Sequence, residues 1–379
     1  MNFELNEAHK LSQKMFFDFA ENEVKPIASE IDEQERFPVE TIPKLARYGF
    51  LGIPFPKDFG GQGADNLCYA IAVEELSKVC ATTGVIVSAH NSLCAAPIFE
   101  SGTPYQKAKY LIPLAKGEKL GAFGLTEPNA GSDAGSQQTV AEKKEDHYFL
   151  NGAKIFITNA DYAEIYIVMA MTDKTAGTRG ISAFIVEKGT PGFTIGKKEK
   201  KLGIRGSATC ELIFENVRLP LDNLLGAEGK GFGIAMKTLD GGRIGIAAQA
   251  LGIAQGAINE TIKYVKERKQ FGKPIASFQN TQFQLADMQT KVDAARWLVY
   301  HAAWLKDQKK AYSKEAAMAK LYASETAMEI TTKAVQLFGG YGYTREYPVE
   351  RMMRDAKITE IYEGTSEVQK MVIAAGVLK

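Results

Sequence analysis

The chain has 379 residues, of which 45% are hydrophobic and 24% charged, a composition typical of a soluble globular protein with two or three domains. Lys and Arg number 46 against 45 Asp and Glu, and this net charge of +1 argues against a broad nucleic-acid-binding surface, which needs a basic excess. The four cysteines form no CxxC pair, and residues 1–14 lack the apolar stretch of a signal peptide, so we expect a cytoplasmic protein with no metal site and no membrane span.

Helical periodicity dominates the first third of the chain. Apolar residues recur at helical spacing between residues 16 and 31. Further helices are predicted over residues 67–79, 82–101 and 105–115. His90 and Cys94 could share a helix face, but a metal site needs three or four ligands, so we interpret this pair as buried packing. We predict an N-terminal helical domain over residues 1–120.

Short strands replace the helical pattern in the middle of the chain. Residues 148–157 predict a hairpin with Asn151-Gly152 as its turn. Further strands are predicted over residues 165–171, 181–186 and 209–214. The lysine-rich residues 197–201 predict a solvated loop. We therefore expect a small β-barrel or sandwich domain over residues 121–227.

The helical period returns after the strands and lasts to the end of the chain. Helices are predicted over residues 232–268, 278–309, 314–338 and 367–377. Long helices with short connections indicate a bundle, predicted here over residues 228–379. The separate α, β and α blocks exclude an alternating βαβ sheet. The chain has no GxGxxG after a strand, P-loop, GxSxG or HExxH motif, so Rossmann dehydrogenases, nucleotide triphosphatases, α/β-hydrolases and zincins lose their main support.

Three segments combine glycine with polar side chains. Residues 123–133 suit wrapping around a polar ring or a phosphate, although alone they are more typical of an ordinary long loop between domains. Residues 338–343 place three glycines where backbone can approach a ligand, or where a helix is simply capped. In residues 361–366, Glu363 is either a base beside free amides at a helix start or a solvated charge.

In this order and spacing, the three segments resemble the acyl-CoA dehydrogenase family, and the similarity runs over essentially the whole chain. It also includes residues 156–159, 241–243, 267–272 and 347–351. The resemblance implies a mainly α fold with a β middle domain, in which a C-terminal four-helix bundle follows the β domain. It further implies bound FAD, an acyl-CoA substrate, reoxidation by an electron-transferring flavoprotein, and a homotetramer built as a dimer of dimers.

The resemblance also implies roles for individual residues. Glu363 would remove the α proton while the β hydride passes to flavin N5, giving a trans-2-enoyl-CoA, with the thioester carbonyl bonded to the Glu363 N–H and a ribityl hydroxyl. The implied flavin contacts are Phe123, Leu125, Thr126, Gly131, Ser132, Phe156, Ile157, Thr158, Arg268, Gln270, Phe271, Phe278, Gln279, Gln336, Leu337, Gly339, Gly340, Thr365 and Glu367. The implied substrate contacts are Ser132, Asp240, Arg243 and Gly364. Many relatives have Trp in place of Phe156, and several have Gln in place of Glu367.

Gly242 narrows the subclass that the resemblance implies. Branched-chain and some long-chain relatives carry their catalytic Glu at this position, so only Glu363 is left as the base here. Residues 241–255 look closest to the short-chain, butyryl-CoA members. A medium-chain or glutaryl-type enzyme remains the first alternative, and an oxidase is a weaker one. An alternative of another class is a non-catalytic module that binds acyl-CoA or a flavoprotein.

Overall fold

The computed structural model describes residues 4–378, in which two helical regions flank a β region. The helices are α1 (Glu7–Phe19), α2 (Ala28–Glu33), α3 (Ile42–Arg47), α4 (Asn66–Val79), α5 (Ala81–Ser88), α6 (Ala96–Ser101), α7 (Pro104–Gln106), α8 (Ile112–Ala115), α9 (Gly231–Glu267), α10 (Gln279–Asp307), α11 (Ser313–Phe338), α12 (Val349–Ile358) and α13 (Ser366–Val377). The strands are β1 (Gly121–Gly124), β2 (Val140–Lys144), β3 (His147–Thr158), β4 (Ile165–Met171), β5 (Ile181–Glu187), β6 (Phe193–Lys198), β7 (Thr209–Pro220), β8 (Leu224–Leu225), β9 (Lys269–Gln270) and β10 (Lys273–Pro274). None of the helices described between residues 4 and 378 is long and apolar enough to cross a bilayer.

His90 joins the N-terminal helices to the β region. It lies in a π-helical turn between α5 and α6 and is fully buried. Its Nε2 donates to the carbonyls of Leu51 (3.0 Å) and Leu114 (3.1 Å), while Nδ1 accepts from the Gly121 N–H (3.1 Å). Burial lowers the pKa of His90 to about 4, so the ring stays neutral. Cys94 is buried in the same turn, and the predicted packing role of the pair is confirmed.

Strand β3 corrects the predicted hairpin. It runs unbroken for 12 residues, pairs with β2 and β7, and has no turn at Asn151-Gly152. Gly152 (φ 139°) instead lies at a bulge opposite β7, where a β-carbon would lie 2.6 Å from the Thr139 hydroxyl. A bulge also favours glycine, which explains why this pair resembled a turn. The true hairpin connects β2 to β3, with Lys144 paired to His147.

The sheet has the order β6-β7-β3-β2-β4-β5-β8, with β1 beside β4. A single pair, Val140 and Met171, joins β2 to β4, so the strands form two parts that enclose a shared core. Rings from both parts meet there: Tyr166 lies 4.8 Å from Phe193 between centroids. The predicted all-β region is confirmed, but strands β1, β2, β6 and β8 were missed, and the predicted loop at residues 197–201 begins within β6.

Helix α9 is the axis of the molecule, because it packs against both helical regions. With α10, α11 and α13 it forms the C-terminal bundle, and α4 crosses its other side. A β-carbon at Gly252 or Gly256 would overlap the carbonyl of Glu74 or Lys78, so α4 and α9 approach at backbone distance. Helix α12 was not predicted, although Val349, Met352 and Ala356 bury one face of it. The predicted fold class, mainly α with a β middle region, is confirmed.

Candidate active site

The turn between α12 and α13 presents Glu363. The N–H of Ser366 donates to the carbonyl of Glu360 (2.9 Å) and closes the turn. Glu363 (φ 53°) and Gly364 (φ 94°) both have left-handed backbone, which is strained for glutamate and is concentrated at functional sites. Among residues 4–378, the N–H groups of Glu363, Gly364 and Thr365 find no hydrogen-bond acceptor. Three adjacent donors are therefore available to a ligand.

The Glu363 side chain lies against α9 at Gly242. A β-carbon there would overlap Glu363 Oε2 and lie 2.8 Å from Leu93 Cδ2, so a larger residue would displace the carboxylate. Glu363 is half-buried, and its buried Oε2 has no hydrogen-bond partner within the described chain. Burial raises the pKa of Glu363 to about 8, while the positive charges of Lys320 and Arg243 oppose the rise. This carboxyl group has the properties of a general base that loses its proton near neutral pH.

Asp240 and Arg243 form an ion pair one helical turn apart on α9. Arg243 Nη1 donates to Asp240 Oδ1 (2.5 Å), and Ser313 Oγ donates to the same oxygen (2.9 Å). Burial raises the pKa of Asp240, an effect that the Arg243 charge opposes. Arg243 Nε is buried and has no partner among residues 4–378. The two predicted substrate contacts therefore lie together, with Arg243 close enough to Glu363 to act on its pKa, and they leave one donor unpaired.

Lys154 of β3 forms hydrogen bonds that hold residues 123–133, the predicted flavin loop, against this strand. Its buried ammonium donates to the carbonyl of Leu125 (3.1 Å), to Glu127 Oε1 (2.6 Å) and to Gln137 Oε1 (2.9 Å). Burial lowers the pKa of Lys154 to about 8, and Glu127 opposes this, so the ammonium form persists at neutral pH. Burial also opposes ionisation of Glu127, but the Lys154 charge and bonds from Gln138 and Thr139 hold its pKa below the usual value.

The fastened loop brings the two predicted flavin segments of the β region together. The Ile155 N–H donates to the carbonyl of Thr126 (2.9 Å). Phe123 and Leu125 are buried, whereas Gly131 and Ser132 are exposed, and Thr126 and Thr158 are half-buried. Phe156 is 60% exposed with φ 59°, so a strained backbone presents its ring outward. The Ile157 side chain is turned into the β core, which leaves its backbone for any ligand.

The remaining predicted flavin contacts form an exposed surface around the β9–β10 hairpin and the end of α11. Phe271 is 93% exposed with φ 52°, and its ring centroid lies 6.2 Å from that of half-buried Phe278. The Arg268 guanidinium lies 5.5 Å from the Tyr341 ring centroid and connects the hairpin to the end of α11. The other members are exposed Gln270, Gln279, Gln336, Gly339 and Gly340, and half-buried Leu337.

The last two predicted flavin contacts lie at the start of α13. The Thr365 hydroxyl accepts from the Val368 N–H (3.4 Å) and caps the helix, and Glu367 is exposed in its first turn. Two residues that the sequence analysis missed complete the turn. Lys320 of α11 donates to the Gly364 carbonyl (2.8 Å), and Gln369 donates to the same oxygen (2.8 Å) and to the Glu363 carbonyl (3.2 Å). Gln369 follows the motif closely, but no local pattern marks Lys320.

Comparison with known proteins agrees with this geometry. Profiles of the acyl-CoA dehydrogenase N-terminal, middle and C-terminal domains match residues 6–118, 122–217 and 229–378. A short-chain-specific acyl-CoA dehydrogenase of Clostridium acetobutylicum is 64% identical over 379 residues, 100% of both chains. The solved butyryl-CoA dehydrogenase of Megasphaera elsdenii is 55% identical with a TM-score of 0.99, covering 100% of both chains.

A second solved structure is equally similar. It was solved in work on the electron transferring flavoprotein of Acidaminococcus fermentans and flavin-based electron bifurcation, and one of its chains is 57% identical with a TM-score of 0.99, covering 100% of both chains. Identity at this level over the full length of both chains leaves no other family to consider. This chain belongs to the acyl-CoA dehydrogenase family.

Proposed function

We propose that the protein is an FAD-dependent short-chain acyl-CoA dehydrogenase, which converts butyryl-CoA to crotonyl-CoA and passes the electrons to an electron-transferring flavoprotein. The observation that carries this proposal is the unpaired, buried Oε2 of Glu363, which lies in the space left by Gly242 beside three free backbone donors. The similarity to short-chain and butyryl-CoA enzymes supports the substrate class, and the similar chain from the work on an electron transferring flavoprotein supports the partner.

The residues around the turn fit FAD. The free N–H groups lie at the start of the 12-residue helix α13, where a pyrophosphate is favoured by the helix dipole. Ser366 Oγ is buried there with no partner among residues 4–378. The outward ring of Phe156 can cover an isoalloxazine, and β-carbons at Gly339 and Gly340 would meet nothing within 4 Å, which leaves the second predicted contact surface open. Bound FAD would accept the hydride from the β-carbon.

Glu363 contributes to proton removal in two ways, through its backbone N–H and through its carboxylate. The α-carbon of a thioester is a very weak acid, so a base succeeds only if the enolate oxygen is stabilised as its charge forms. The Glu363 N–H donates to that oxygen, and one preorganised donor of this kind is worth about 3 kcal/mol in the transition state. The carboxylate then accepts the α proton, and the positive charge of Arg243 favours its ionised form before the transfer.

The side chains packed against α9 next to the Glu363 carboxylate favour a short acyl chain. Gly245 lies one helical turn from Gly242, and a β-carbon at Gly245 would overlap both the Tyr69 hydroxyl and Ser88 Oγ. The Tyr69 and Ser88 side chains therefore limit the space about 4.5 Å along the helix from Gly242, which is the rise of three residues. That depth suits a butyryl chain better than a medium-chain or glutaryl substrate. Ser132 and Gly364 would complete the substrate contacts with Asp240 and Arg243.

We also propose the assembly that the exposed surface suggests. Phe271 at 93% exposure and the open glycines after α11 would contact FAD held by a second subunit, which makes a dimer the minimal unit and a dimer of dimers the full assembly. Domain boundaries at residues 120 and 227 and a cytoplasmic location complete the proposal; the boundaries coincide with the helix-to-strand changes, and all four cysteines are free.

The test is anaerobic reduction of the purified flavoprotein by butyryl-CoA, followed through the flavin absorbance. We expect rapid bleaching, which octanoyl-CoA produces more slowly, and a rate at least about 10³-fold lower in Glu363→Gln, which keeps the shape but loses the base. Faster bleaching by octanoyl-CoA would exclude the short-chain assignment. A yellow protein that no acyl-CoA bleaches would exclude the reaction, and a colourless protein that cannot take up FAD would favour the non-catalytic module.

A further inference from the structure

Lys320 is a buried cation that the proposed chemistry does not itself require. It lies on α11 with none of its surface exposed, and its ammonium donates to the carbonyl of Gly364 (2.8 Å). Burying an ammonium group is unfavourable unless its hydrogen bonds compensate. Here the bonded acceptor is a neutral carbonyl in the turn that carries Glu363. Burial of Lys320 is therefore not explained by stability alone, and its position beside the turn suggests a role there.

The bond from Lys320 orients the peptides of the turn. In a trans peptide the C=O and N–H groups point in opposite directions. Lys320 and Gln369 hold the Gly364 carbonyl on the bundle side, and Gln369 holds the Glu363 carbonyl there as well. The N–H groups of Gly364 and Thr365 must then point away from the bundle, where they stay unpaired. The same bonds maintain the left-handed backbone of Glu363 and Gly364.

The ammonium also supplies charge next to the base. The ionisable groups that act on Glu363 or respond to it are Lys320 from α11, Arg243 from α9, Tyr69 from α4 and the adjoining Tyr362. Glu360 and Glu367 also act on Lys320, and burial lowers its pKa. Of the two cations, Lys320 opposes the raised pKa of Glu363 more strongly than Arg243 does.

We propose that Lys320 is a positioning residue for Glu363, with its hydrogen bond holding the turn that presents the base and its charge favouring the carboxylate form. This inference rests on the proposed function, in which Glu363 is the base. The sign of the effect follows from the charge. A cation stabilises the carboxylate, so loss of Lys320 raises the pKa of Glu363 further, and the rise of kcat/KM with pH moves to higher pH.

Three substitutions separate the two roles. Lys320→Gln keeps a donor for the Gly364 carbonyl but removes the charge, Lys320→Met removes both, and Lys320→Arg keeps both. Lys333→Met is the matched control, because Lys333 lies on the same helix, is 32% exposed and pairs with Glu329. We measure kcat and KM for butyryl-CoA against pH. Independently of turnover, we titrate the infrared carboxylic-acid band that Glu363→Gln abolishes.

We expect Lys320→Gln to raise the pKa of Glu363 by at least one pH unit in both measurements, which makes kcat/KM about tenfold lower below the midpoint. Lys320→Met should add a loss of kcat, because the turn is also released, while Lys320→Arg and Lys333→Met stay close to the wild type. Where Lys320→Met does not fold, Lys320→Gln and Lys320→Arg decide the result. An unchanged band titration in Lys320→Gln would overturn the inference even if no acyl-CoA is oxidised. A wild type that binds FAD but oxidises no acyl-CoA would overturn the proposed function instead.

Discussion

At the scale of single residues, Gly242 and Glu363 compete for the same volume. They come from α9 and from the turn before α13, and the carboxylate occupies the space that a β-carbon at Gly242 would fill. The absence of a side chain at one position therefore allows the base at the other. The same closeness keeps Glu363 Oε2 away from water and from other donors, which is why burial raises its pKa to about 8.

The first prediction at this scale is for Gly242→Ala. The new methyl group should displace the carboxylate by about 1 Å, and a misplacement of this size lowers kcat/KM about 100-fold. Gly233→Ala on the same helix is the matched control, because its β-carbon would meet nothing within 4 Å. The control should keep its rate and gain up to about 1 kcal/mol of stability from the better helix former. Equal rates for the two variants would disprove the steric argument.

At the scale of elements, Lys154 and Glu127 fasten a loop to a strand. Lys154 is fully buried and Glu127 is 5% exposed; Glu127 belongs to the polar segment 123–133, and Lys154 to the strand β3 beside it. Their bond holds residues 123–133 beside Phe156, so the proposed flavin contacts depend on an ion pair that has no predicted contact with the flavin. Removing one partner of a buried ion pair destabilises the fold, because the other charge is left buried without a partner.

We therefore predict that Lys154→Met lowers the free energy of unfolding of the β region by about 3–5 kcal/mol and weakens FAD retention. Lys143→Met is the control on the same sheet. Lys143 and its partner Glu228 are 51% and 43% exposed, and removing this surface pair should cost less than about 1 kcal/mol. Chemical unfolding of both variants, followed by circular dichroism and flavin fluorescence, measures the difference. A loss no larger than that of the control would show that the buried pair does not hold the loop.

At the scale of the whole molecule, the exposed surface around Arg268 and Phe271 is unusual for a monomer. An aromatic ring that is 93% exposed on a strained backbone is costly unless another chain covers it. The open glycines Gly339 and Gly340 directly precede Tyr341, whose ring centroid lies 5.5 Å from the Arg268 guanidinium. Cofactor binding and assembly should therefore be linked, since FAD bound only by the assembled form stabilises that form.

The prediction at this scale is that Arg268→Ala loses FAD on dilution. A charge-assisted hydrogen bond is worth about 1.5–3 kcal/mol, so the dissociation constant for FAD should rise about 10- to 100-fold. Arg218→Ala, whose side chain is 61% exposed on the β region, should retain FAD as the wild type does. Flavin fluorescence and sedimentation over a dilution series measure retention and assembly together. Flavin loss that does not depend on protein concentration would contradict the proposed link.

Much of the fold could be predicted from the sequence, because the long elements are specified by patterns of neighbouring residues. The long helices α9, α10 and α11 were predicted to within two residues at each end, since their apolar periodicity extends over many turns. The short elements were less predictable. Asn151-Gly152 has the same backbone preference in a hairpin turn and in a bulge, and only the pairing of β3 with β7 distinguishes the two.

The order of the three regions, the family and the motif that contains Glu363 can be predicted from the sequence, because they depend on residues that are close along the chain. The groups that surround the Glu363 carboxylate become visible in the folded chain. Lys320 lies 43 residues before Glu363 and Gly242 lies 121 residues before it, so neither belongs to any local pattern around the base. The packing of α9 and α11 against the turn brings these groups together, and burial among them sets the pKa of Glu363.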